Sequence, residues 1–145
     1  MTEEEEEAYA ADIEKMSPPQ RARYELNQVT DRVFAPLSAG ERSQTARLKT
    51  LWERSQQEFK TGDLTDGNAQ TIAELIKMLH GYDQERALFE DRYRNMDHVE
   101  DSGLAKGLSA EQKKEFSGNE ISRQWKDWVS IHRPKVQRLL SSLSE

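Results

Sequence analysis

The stretch AQTIAELIKML, residues 69–79, sets Ala69, Ile72, Ala73, Ile76 and Leu79 at offsets of three and four. Side chains so spaced fall on one side of an α-helix, so the segment reads as an amphipathic helix with a single apolar face. No window of the chain alternates apolar and polar residues with a period of two, which argues against a sheet. The fold class follows as all-α.

Reading outward from this segment, the helix boundaries are well marked. Downstream, Gly81 is either a C-cap or a bend into Leu88, Phe89, Tyr93 and Met96. Upstream, Thr61 to Asn68 forms a loop with an Asp66-Gly67 turn. Before that loop, Leu48, Leu51, Trp52, Ser55 and Phe59 share a face. That helix stops at Gly62 and opens at the capping box Ser38-Ala-Gly-Glu41. Ser17-Pro18-Pro19-Gln20 opens an earlier helix, because proline in the first turn gives up no needed hydrogen bond. Its stripe Ala22, Leu26, Val29 and Val33 ends by Pro36.

Beyond residue 98, Val99 to Leu108 reads as a connector, and Ser109-Ala-Glu-Gln112 caps a short helix toward Gly118. The final helix starts near Asn119 and carries Ile121, Trp125, Trp128, His132, Val136, Leu139 and Leu143 on one stripe. Pro134 lies inside it and is expected to kink it near Ser130. No heptad pattern or long repeat is sustained. The expectation is a small bundle of four to five short helices, with residues 17–145 as a single helical domain. Residues 1–16 are expected to form a flexible, mobile acidic tail, at most a frayed helix where Glu3 to Glu7 repel.

The composition is lean in core formers. Of 145 residues, 34% are hydrophobic and 33% charged, and Leu, Ile, Val and Phe number 27. That share is close to the ~20% below which strongly charged chains stay unfolded. Three Trp, four Tyr and four Met supplement the core. The net charge of −6 is concentrated in residues 1–16. Residues 21–54 and 123–138 are net basic and residues 61–101 net acidic, a layout suited to neighbouring helices that attract one another. A nucleic-acid binder generally has a strongly basic domain, and this chain has none.

Several chemistries are missing from the sequence. No run approaches the ~18 apolar residues of a membrane span. Without cysteine there is neither a disulfide framework nor a Cys-ligated metal. The acidic N-terminus resembles no secretory signal, and cytoplasmic residence is the expectation. Histidines occur at 80, 98 and 132, preceded three residues earlier by Lys77, Asn95 and Val129, so no Glu-x-x-His pair exists for a di-metal bundle. His98 lies among Asp97, Glu100 and Asp101, which reads as a solvated helix end. Asp63 to Glu74 has the length of a calcium loop, but Asn68 stands where the sharp turn needs glycine. Phosphate-cradling glycine loops and the Gly-x-Ser-x-Gly elbow are absent. No metal, cofactor or catalytic residue is therefore assigned, and the chain is read as non-enzymatic.

One positive feature remains. On the final helix, Trp125, Trp128 and His132 share a face and are interleaved with Arg123, Lys126 and Arg133. Trp and Arg are the residues most enriched at binding hot spots. The tryptophans are core anchors beside the acidic 61–101 segment, part of a partner-binding face, or part of a face for an anionic membrane surface or nucleic acid, with Trp128 expected to be the more exposed. The six residues form the candidate partner-binding set. The function expected is a protein-binding module, a regulator, inhibitor or adaptor, with a homo-oligomer as one form of partnership. The alternatives are a nucleic-acid-associated regulator using the basic 21–54 and 123–138 helices, and a small enzyme.

Overall fold

The computed structural model describes residues 2–4, 15–38, 43–102, 109, 111 and 118–144, with the side chains of 96–102 left aside. The expectations for the acidic tail, for the helix opened at Ser109 and for the His98 cluster fall outside these residues. Among the described residues the fold is all-helical. Helix α1 spans Pro18–Val33, α2 Thr45–Lys60, α3 Asp66–Ser102 and α4 Gly118–Ser142. None is long and apolar enough to cross a membrane.

The four helices run up, down, up, down. Glu25 of α1 meets Arg54 of α2, Thr45 of α2 meets Asp83 of α3, and the Trp125 ring of α4 lies tilted against Phe89 of α3. Arg133 of α4 pairs with Asp31 of α1 at 3.0 Å. Helix α3 touches all three others, and α1 also touches α2 and α4. The section is thus a rhombus with α1 and α3 on its short diagonal.

The main core holds Leu26, Val29 and Val33 of α1, Leu48 and Leu51 of α2, Ile72, Leu75 and Leu79 of α3, Val136 and Leu140 of α4, and Leu143 just beyond its end. A second cluster of Phe89, Ile121 and Trp125 lies beyond the reach of α2 and is flanked by Leu37 and Tyr93. In this half of the molecule, the segment after α1 replaces a helix as the cover.

The caps show which sequence signals operate. At α1 the capping box is complete: the Gln20 backbone N–H donates to Ser17 Oγ at 3.4 Å, and the Ser17 N–H donates to Gln20 Oε1 at 3.2 Å. At the end of α2, Gly62 has φ +81°. Its N–H donates to Phe59 O at 3.1 Å and that of Asp63 to Glu58 O at 2.9 Å, the paired bonds of a Schellman turn.

Two boundaries differ from expectation, whereas the final helix spans its proline as its stripe implies. Helix α2 starts at Thr45 rather than near Ser38, whose buried hydroxyl meets no partner among the described residues. Its start is organised by a side chain from another helix, Asp83. Helix α3 neither ends nor breaks at Gly81, since flanking packing by Leu79, Asp83 and Arg86 holds the turn. Helix α4 runs on through Pro134.

Candidate functional site

The turn of α3 that carries Asp83 and Arg86 fixes two neighbouring helix ends. Asp83 is buried and accepts from the Gln44 backbone N–H at 3.2 Å, from Thr45 Oγ at 2.6 Å and from Ser43 Oγ. A carboxylate here satisfies unpaired donors at the start of α2 and faces the positive end of its dipole. One turn on, Arg86 is only 5% exposed. Its Nη1 donates to the carbonyls of Arg32 at 2.8 Å, Val33 at 3.1 Å and Ala35 at 2.7 Å, and its Nη2 to Pro36 at 3.1 Å. Its Nε reaches Glu90 at 3.0 Å. The guanidinium thus closes the negative end of α1 and sets the course of the following segment. Trp125 joins this clamp, with its Nε1 donating to Ala35 O at 3.0 Å and its ring 5.8 Å from the guanidinium carbon.

From Trp125 an aromatic column runs along α4. The rings of Trp125 and Trp128 stack at 5.0 Å, and those of Trp128 and His132 at 4.0 Å. Tyr82 of α3 meets Trp128 edge-on at 5.1 Å and 89°. Burial pushes the Tyr82 phenol above its ordinary pKa. His132 Nδ1 lies 2.8 Å from the Trp128 carbonyl one turn back, which fixes the ring as the end of the column.

The column ends in an open trough. This concavity, about 1260 Å³, lies over the outer face of α3 and is bordered by Leu48 and Trp52 of α2 on one side and Trp128 and His132 of α4 on the other. Trp52 is 41% exposed, although its spacing placed it on the core face. The core side of α2 is Leu48, Leu51 and Ser55, with Trp52 and Phe59 left at the edges. Gly81 and Lys77 lie on the floor.

The six residues singled out on the final helix do not form one surface. Trp125 is 3% exposed and belongs to the core, whereas Trp128 and His132 are half-buried and reach the trough. Arg123 points to solvent between Glu120 and Asp127. The hydrogen bond it donates to Glu120, then the charges of both carboxylates, hold its pKa above the ordinary value. Lys126 is exposed beside a separate cleft lined by Phe34, Leu37 and Val129. Arg133 turns to α1 and Asp31.

The sequence reading missed Asp83, Arg86 and the exposure of Trp52. Asp83 and Arg86 both lie in the net acidic 61–101 segment, whose overall charge does not single them out. Their opposite signs one helical turn apart were the available hint. The calcium-like loop proves to be the start of α3: Asn68 N–H donates to Thr65 Oγ at 3.2 Å, and the Asn68 amide is engaged by Ser144 at 2.7 Å. Comparison of the chain with protein-family models, curated proteins and solved structures finds no match.

Proposed function

We propose that this chain is a non-enzymatic protein-binding module, acting as a regulator, inhibitor or adaptor, whose binding face is the trough over α3. The observation that carries the reading is the trough itself, with an exposed tryptophan on one wall and the end of a stacked aromatic column on the other. Rigid aromatic side chains that keep a solvent-facing edge are the usual anchors of protein interfaces. The column supports Trp128 from behind, so little ordering is needed when a partner docks.

The nucleic-acid reading has less support. Arg21, Arg54, Arg123 and Arg133 are each paired with a carboxylate, and Arg86 is buried on backbone carbonyls. Phosphate binding would have to displace these partners.

Crosslinking from the trough in the native lysate tests the reading, using the full chain and its Trp52→Ala and Ile131→Ala variants. Both residues are exposed, Ile131 at 60%, so neither change should unfold the bundle. A protein bound at the trough should lose at least about 30-fold in affinity with Trp52→Ala, a hot-spot loss of ~2 kcal/mol, and keep its affinity with Ile131→Ala. A protein retained equally by both variants overturns the assignment of the face. Retention on duplex DNA that falls steeply with salt would favour the nucleic-acid reading instead.

A further inference from the structure

The outer face of α3 has a pattern that fits one partner better than others. Residues 77, 81 and 85 lie one turn apart in a single row along the helix. Gly81 is in the middle of a 37-residue helix, where glycine costs about 1 kcal/mol relative to alanine. Nothing in the bundle requires it, since a Cβ added there would meet no atom within 4 Å. Lys77 and Glu85 are each about 6 Å from it along the axis, in opposite directions and with opposite charge. Among the described residues neither makes an ion pair. Leu88, 59% exposed, continues the same face beyond Glu85.

A two-fold interface brings each residue opposite the one equally far from the axis on the other chain. We propose that the outer face of α3 pairs antiparallel with the same face of a second copy of this chain about a two-fold axis at Gly81, setting Lys77 of each copy opposite Glu85 of the other. The missing side chain at Gly81 leaves the centre of the face open where the two copies meet on the axis. Two charge pairs form by symmetry. A partner of uniform charge would leave either Lys77 or Glu85 facing its own sign, whereas a second copy satisfies both. The inference rests on the reading of this face as a protein-binding surface and names its occupant.

Sedimentation equilibrium of the full chain tests it, with circular dichroism to confirm that each variant is folded. The wild-type chain should sediment as a dimer at micromolar concentration. Lys77→Glu and Glu85→Lys should each weaken the dimer at least about tenfold, because each sets two like-charged pairs face to face. An equimolar mixture of the two variants should recover a dimer of one copy of each, since both contacts then join unlike charges. Gly81→Leu should leave a folded monomer. A wild-type chain that is monomeric, or a dimer insensitive to all three substitutions, overturns the inference. A monomer that still captures another protein in a Trp52-dependent way sinks this inference alone and leaves the broader reading of the face standing.

Discussion

Arg86 concentrates more backbone satisfaction than any other side chain described. Four carbonyls at and beyond the end of α1 accept from its guanidinium, and Trp125 donates to one of the four. A planar fork of donors suits this cluster, whereas a lysine ammonium could reach only part of it. Arg86→Met should therefore destabilise the fold by about 3–5 kcal/mol, the usual consequence of stranding the partners of a buried charge. The urea midpoint checks this, and Arg86→Lys should fall between the variant and wild type. A loss under about 1 kcal/mol for Arg86→Met would mean that water replaces the guanidinium freely. The importance of Arg86 was not legible in the sequence, because residue type predicts average exposure and Arg is mostly found at the surface. Periodicity assigned Trp125 and Trp128 to one stripe, and that held. The same rule put Trp52 with Leu48 and Phe59, but the core side of α2 is narrow and leaves both aromatics at its edges.

At the scale of elements, the caps that lie within one stretch of chain were readable and those made between elements were not. Ser17 with Gln20 and Gly62 after Lys60 are local signals, and both act as read. Ser38 presented an equally good local signal, but α2 begins at Thr45 because Asp83, 38 residues away in sequence, supplies the acceptor there. Two glycines make the contrast measurable. Gly62 adopts a left-handed backbone, so Gly62→Ala should cost about 1 kcal/mol. Gly81 is helical with open space where a Cβ would lie, so Gly81→Ala should stabilise the single chain by about 1 kcal/mol in dilute solution. Chemical denaturation of both variants reads the two signs side by side. Equal signs would refute the conformational assignment of one of the two positions.

The whole molecule is an up-down bundle closed by contacts between distant parts of the chain. Leu143 is fully buried beside α1 and α3, and the Asn68 amide bonds the Ser144 backbone from the start of α3. Leu143→Ala should lower stability by about 2–5 kcal/mol, as other buried Leu-to-Ala changes do, and thermal melting would show it. An unchanged melting temperature would mean that the end of α4 frays in solution. The architecture was legible because each helix repeats its apolar residues with the helical period. The trough was not, because it arises from the spacing between α2 and α4, and no single segment encodes that distance. The closing contacts also impose a timetable on synthesis. The carbonyl of Leu143 accepts from Arg23, and 120 positions separate the two. At ~5–20 residues per second, a ribosome needs roughly 6 to 24 s after making Arg23 before its partner exists. Until α4 is made, the apolar stripe of α1 can be covered at most by α2 and α3, which leaves one side of the core without its final layer.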